Sequence, residues 1–149
     1  MGMIRLSPDF KEFLKLLNEN NVKYLLVGGY AVAFHGYPRT TGDMDIWIAF
    51  DPANASKVTK ALREFGFSET ALREELFTNP NNVIRMGIPP YRIEVLTTID
   101  GIEFESSYSN RIIEEIDGVE ISIISKNDLI RNKLSAGRNK DLDDVENLK

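Results

Sequence analysis

Two short segments of the chain hold residue types suited to phosphate chemistry. Asp43 and Asp45 stand two apart, and a Gly28-Gly29 pair precedes them at the end of an apolar run, Tyr24-Leu25-Leu26-Val27. On a strand, residues two apart face the same side, so both carboxylates point one way. Carboxylates that close repel each other unless a cation lies between them. With oxygen donors only, and no histidine or cysteine beside them, the cation that fits is Mg²⁺ or Mn²⁺. Such ions activate an attacking hydroxyl and steady a leaving pyrophosphate. The glycines let a backbone approach closely without a side-chain clash. If a helix starts there, its first amides lack internal partners and favour an anion such as a phosphate. A Gly-Gly pair alone is usually a turn, and an Asp-x-Asp alone is usually solvated surface. In this order, framed by apolar strands, the two halves reinforce each other.

The surrounding pattern predicts the elements that position these residues. Ser7-Pro8 reads as a helix start, and Phe10, Phe13, Leu14 and Leu17 form one apolar stripe that Asn18 to Asn21 ends. Tyr24 to Val27 reads as a buried strand, and Tyr30 to Phe34 as a short helix beginning at the glycines. Pro38 to Gly42 is loop, followed by a strand over Asp45 to Phe50. Pro52 opens a helix with Val58, Ala61, Leu62 and Phe65 on its buried side, closed by Gly66. Strands are expected over Val83 to Ile88 and Arg92 to Thr98, then a hairpin over Ile112 to Ile116 and Val119 to Ile124 around Asp117-Gly118. Ser125 and Asp128 read as a capping box for a helix through about Leu134. Gly137 breaks it, and a last helix runs from Asp141 to the end. The pattern predicts a single domain over 1–149, of α/β (α+β) class, with one mixed β-sheet flanked by helices.

Composition narrows the function classes. The chain has 149 residues, 42% apolar and 28% charged, enough for a core without staples. It has no cysteine and one histidine, His35, which excludes disulfides, cysteine nucleophiles and multi-histidine metal sites. The net charge of −5 argues against binding a duplex through its phosphates, although a local basic patch would act independently of the total. No stretch is long and apolar enough to span a bilayer, and Met1 to Arg5 lack the apolar run of a signal peptide, so a cytoplasmic protein without membrane contact is expected.

Gly-Gly, a spacer, then Asp-x-Asp between apolar residues resembles the signature of the polymerase-beta-like nucleotidyltransferase superfamily. The segment Gly28 to Asp45, with Ala31, His35-Gly36 and Arg39, resembles the small bacterial branch of AbiEii/MenT-like toxin nucleotidyltransferases. So does the run from Lys133 through Arg138, Asn139, Lys140 and Asp141 to Asp144. The resemblance covers about Tyr24 to Leu148 and implies a minimal nucleotidyltransferase fold. It also implies a third carboxylate on a later strand. Glu94, the lone acid of the apolar run Arg92 to Leu96, fits best, because burying an unpaired charge is costly. The plainer reading puts Glu94 on the solvent face, and Asp100 and Glu103, around Gly101, are its rivals. Glu94 would either take the acceptor proton or complete the metal shell. In the branch, a helix lysine reaches the triphosphate and a following aspartate lies near the site, which here are Lys133 and Asp141. A lysine's compact charge on a long stem suits phosphates, although most helix lysines are solvated. Arg39 either binds phosphate or balances Asp43. Arg138, Lys140 and Asp144 equally suit a surface ion network. His35 reads as a packed loop histidine, and Tyr91 and Tyr108 either stack on a base or pack in the core or rim.

Two departures stand out. The superfamily often has serine at the position of Gly29, so only backbone amides remain here. The toxin members carry a larger helical lobe, so an acceptor-binding part that is reduced or supplied by a partner is expected of a chain ending at Lys149.

The expected function is metal-dependent transfer of a nucleoside monophosphate from a nucleoside triphosphate, ATP among them, to a hydroxyl, with pyrophosphate release. The acceptor is an RNA 3′ end such as that of tRNA, a protein side chain or a small molecule, and a cognate antitoxin or other partner protein is expected. The alternative is a catalytically weak nucleotide-binding module of a toxin–antitoxin-type pair. A third reading is an unrelated α/β domain with an accidental motif.

Overall fold

The structure, a computed structural model, describes residues 6–37, 42–67, 72–87 and 92–149. The chain begins with α1 (Pro8–Glu19), β1 (Tyr24–Val27), α2 (Gly28–Phe34), β2 (Met44–Ile48) and α3 (Pro52–Phe65). A 3₁₀ turn (Glu74–Phe77) leads to β3 (Val83–Met86), β4 (Ile93–Leu96) and α4 (Phe104–Ser109). The hairpin strands β5 (Ile112–Ile116) and β6 (Val119–Ile123) follow, then α5 (Lys126–Ala136) and α6 (Asn139–Leu148). The strands form one six-stranded mixed sheet in the order β3-β4-β2-β1-β6-β5. Strand β2 runs antiparallel to β1 and parallel to β4, while β1 runs parallel to β6. This is the expected mixed α/β architecture with helices around the sheet.

The central strands are covered on both sides, which is why β1 is apolar throughout rather than alternating. Phe10, Phe13, Leu14 and Leu17 bury the stripe of α1, which packs against α3 and β6. Helix α3 starts where Asp51 accepts from the Asn54 amide at 3.0 Å, with Pro52 at its first turn. It ends at Gly66, whose φ of 113° suits glycine. Most expected elements fall within a few residues of their predicted bounds. The last helix begins at Asn139 rather than Asp141, and α4 and the 3₁₀ turn had no sequence forecast. Both are short, and neither has a side-chain cap to announce it. Among the described residues, no helix is long and apolar enough to cross a membrane.

Register fixes what faces what. Val27 lies opposite Asp45 across β1 and β2, and Asp45 lies opposite Glu94 across β2 and β4. Directly paired positions share a face, so the end of the β1–α2 turn and two candidate carboxylates meet on one side of the sheet.

Candidate active site

Strand β1 ends at Val27 and α2 begins at once with Gly28, at φ 66°. A Cβ on Gly28 would overlap the Asp45 carboxylate, so this position excludes a side chain for a reason internal to the site. Asp45 sits within β2, whereas Asp43 precedes the strand. Asp43, Asp45 and Glu94 nevertheless line one cleft of about 490 Å³, together with Gly29, Arg85, Arg138 and Lys140. A neighbouring cavity of about 230 Å³ shares Gly29, Asp45, Arg138 and Lys140 and adds Gly28, Asp100, Lys133 and Asp141. Gly28, Gly29, Asp43, Glu94, Lys133 and Asp141 therefore gather around Asp45. Arg39 and Tyr91 lie outside the described residues.

Each carboxylate meets a different environment. Arg92 grips Asp43, with Nη2 at 2.8 Å and Nε at 3.2 Å from Oδ2. Arg85, the cross-strand neighbour of Glu94, donates from Nε to Glu94 Oε2 at 2.7 Å. Glu94 is largely covered, its side chain 16% exposed, which sets aside the solvent-face reading. Asp45 has no such cation against it among the described residues. Burial, followed by the charges of Glu94 and Asp43, pushes its carboxyl up to about 7, and Lys133 pulls the other way. Its Oδ1 is buried without a hydrogen-bond partner among the described residues. Among those residues, too, no three histidine, aspartate or glutamate side chains converge closely enough to hold a metal ion as they stand, and Asp43 and Glu94 are each paired with an arginine.

Beside the second cavity Lys133 and Asp141, both candidates for the nucleotide site, form a buried ion cluster with Asp144. Lys133 is 5% exposed, and its Nζ lies 3.1 Å from Asp144 and 3.3 Å from Asp141, both 1% exposed. Arg138 caps the cluster from solvent, donating to Asp141 at 2.7 Å. Burial alone would raise the Asp141 carboxyl, but the Arg138 hydrogen bond and the nearby Lys133 and Arg138 charges outweigh it and hold it below the usual range. Asp144, for which a surface ion network was one of the readings, is buried instead. In α6 the buried positions are Asp141, Asp144, Val145 and Leu148, one helical stripe on which two aspartates face the lysine of α5. Acids on an otherwise apolar stripe were the available signal. Arg85 and Arg92 were also missed, although Arg92 stands two residues from Glu94; Arg85 meets it only through strand register.

The remaining candidates have structural surroundings. His35 Nε2 lies 2.7 Å from the Ile124 carbonyl, tying the end of α2 to the end of β6, and burial lowers its pKa. Tyr108 stacks on Phe104 with Arg111 over its ring. Asp100 lines the cavity beside Lys133, whereas Glu103 precedes α4 and lines a separate cavity.

The architecture is shared with solved structures. A protein from Thermotoga maritima described as a candidate nucleotidyltransferase superposes with a TM-score of 0.66 at 17% identity, over 97% of this chain and 94% of its own. An antigenic nucleotidyltransferase-like protein from Paracoccidioides brasiliensis superposes with a TM-score of 0.55 at 18% identity, over 96% of this chain and 75% of its own. At such identity the likeness is one of fold. No curated protein matches the chain. A sequence model of one family matches residues 5–149, and the chain belongs to that family, described as nucleotidyltransferase of unknown function (DUF6036).

Proposed function

We propose that the protein transfers a nucleoside monophosphate from a nucleoside triphosphate to a hydroxyl acceptor, with release of pyrophosphate, at the cleft of Asp43, Asp45 and Glu94. The observation that carries this reading is Asp45. It is pressed against Gly28, its Oδ1 has no hydrogen-bond partner among the described residues, and Glu94 lies beside it in register. A buried carboxylate oxygen left without a donor, in a site of oxygen ligands only, fits a hard divalent cation, Mg²⁺ or Mn²⁺. Asp43, Asp45 and Glu94 would hold it once Arg92 and Arg85 let two of them go. When bound, the cation neutralises the carboxylates and stabilises charge on the transferring phosphate and its leaving group.

The chain's own groups have separable parts in this proposal. Gly28 and Gly29 keep the wall of the cleft free of side chains, so that phosphates reach the backbone. Arg85, Arg138 and Lys140 supply positive charge along the cleft. Lys133 contributes through the field of its ammonium, held in place by Asp141 and Asp144. Glu94 accepts the acceptor proton or completes the ligand set. Kinship with the AbiEii/MenT-like branch, an RNA or protein acceptor, a partner protein and a cytoplasmic location belong to the same proposal. The kinship rests on the Gly28–Asp45 and Lys133–Asp144 segments.

One observation favours a second reading, a nucleotide-binding module with weak turnover. Arg92 and Arg85 already neutralise two of the three carboxylates. Equilibrium binding of nucleoside triphosphates, with Mg²⁺ and with EDTA, tests the site. Binding that needs Mg²⁺ and falls at least tenfold in Asp43→Asn and Asp45→Asn supports it. Unchanged metal-dependent binding in both variants overturns the site assignment.

A further inference from the structure

We propose that the protein has a second ligand site, for an organic cation with an apolar body, at the opposite end of β2 and β4 from the carboxylates. A cavity of about 600 Å³ opens there, within the range of small-molecule sites. Its floor is aromatic. Phe50, 36% exposed, and the half-buried Phe104 line it, and Trp47, 1% exposed, backs Phe104 edge to face with centroids 5.1 Å apart. Its rim is acidic, formed by Asp51, Glu103 and Glu105, and among the described residues no lysine or arginine lines it.

The two features select one ligand chemistry. The accessible Phe50 and Phe104 rings attract a cation through their quadrupoles, and the rim carboxylates attract it over a longer range. An anion meets three like charges, and a neutral apolar molecule gains the floor but not the rim. The rim carboxylates are unequally committed. Asp51 accepts from the Asn54 amide, and Glu105 lies 3.9 Å from Lys23, whose side chain is half exposed. Glu103 is exposed and makes no capping hydrogen bond at the start of α4. It can therefore meet a ligand at little structural cost. Thr98 lines both this cavity and the one beside Asp45, so the two sites share a wall. The inference does not depend on the transfer chemistry, because it draws on none of the carboxylates of the cleft.

Trp47 is the only tryptophan in the chain, so its fluorescence reports on this cavity. The experiment titrates the protein with benzyltrimethylammonium, benzyl alcohol and benzenesulfonate, following Trp47 emission and, in parallel, equilibrium dialysis of each compound. The expected result is saturable binding of benzyltrimethylammonium at least tenfold tighter than benzyl alcohol, with none for benzenesulfonate. Glu103→Gln is expected to weaken it several-fold and Glu103→Lys to abolish it, with unchanged circular dichroism. Absence of saturable binding by dialysis, equal binding of all three probes, or full retention in Glu103→Lys would overturn the proposal.

Discussion

Replacing Asp45 with asparagine is expected to stabilise the metal-free protein in a pH-dependent way while abolishing its activity. The folded-state carboxyl is raised from 3.8 to about 7 by burial and by Glu94 and Asp43. A raised pKa means that the native state binds a proton that the unfolded chain has released. Its stabilising contribution is full below pH 3.8 and is lost as pH rises through about 7. Above that, an ionised Asp45 faces its neighbours at a cost that asparagine does not incur. A tenfold change in a protonation equilibrium is worth about 1.4 kcal/mol, so between pH 5 and pH 8.5 the advantage of Asp45→Asn grows by at most about 3 kcal/mol. Partial exposure and coupling to Glu94 reduce this to about 1–2 kcal/mol. At roughly 2–4 °C per kcal/mol for a chain of this size, the gap in Tm widens by about 2–8 °C. The assay is thermal unfolding of both proteins in EDTA at the two pH values. A gap that stays constant or narrows with pH would refute the reasoning. Adding Mg²⁺ at pH 8.5 is expected to raise the Tm of the parent more than that of the variant.

Gly28→Ala forces a side chain onto Asp45 at a positive φ, and is expected to cost about 1–3 kcal/mol in denaturant unfolding and most of the transfer activity. Lys133→Met leaves Asp141 and Asp144 buried without the ammonium between them, and a loss of about 3–5 kcal/mol should appear as a large drop in Tm. Glu94→Gln is expected to reduce transfer by about 10²-fold or more. It should shift stability little, because the Arg85 partner is mostly exposed, whereas Asp100→Asn retains activity; the opposite pattern would mean that Asp100 is the third acid. His35 is the sole histidine, and its NMR titration midpoint should fall below 6.5 because burial disfavours its charged form; a midpoint above 6.5 would contradict its buried placement.

The parts of the site that were legible in the sequence are those whose chemistry constrains residue type. A glycine pair that ends an apolar run marks a close backbone approach, and an acid in the middle of an apolar strand, Glu94, needs company. Both facts can be read one residue at a time. The illegible parts depend on tertiary approach. Nothing local says that Lys133 is buried, because its burial comes from α6 folding back over α5. The aspartates that receive it look like ordinary helix surface until the stripe Asp141, Asp144, Val145, Leu148 is drawn. Likewise, Arg85 reaches Glu94 through the register of β3 on β4, which spacing alone does not fix. The fold was legible where apolar periodicity was strong, in α1, α3 and the central strands. It was not in α4, six residues that form a helix against Trp47 without a cap to mark them.

The most direct measurement incubates the protein with Mg²⁺ and nucleoside triphosphates labelled at the α- or the γ-phosphate, with and without bulk tRNA, and follows both labels. The prediction is that the α-label moves to RNA or protein, the γ-label leaves as pyrophosphate, and both changes vanish in Asp45→Asn. Transfer of the γ-label to an acceptor, or transfer of the α-label that persists in Asp45→Asn, would contradict it.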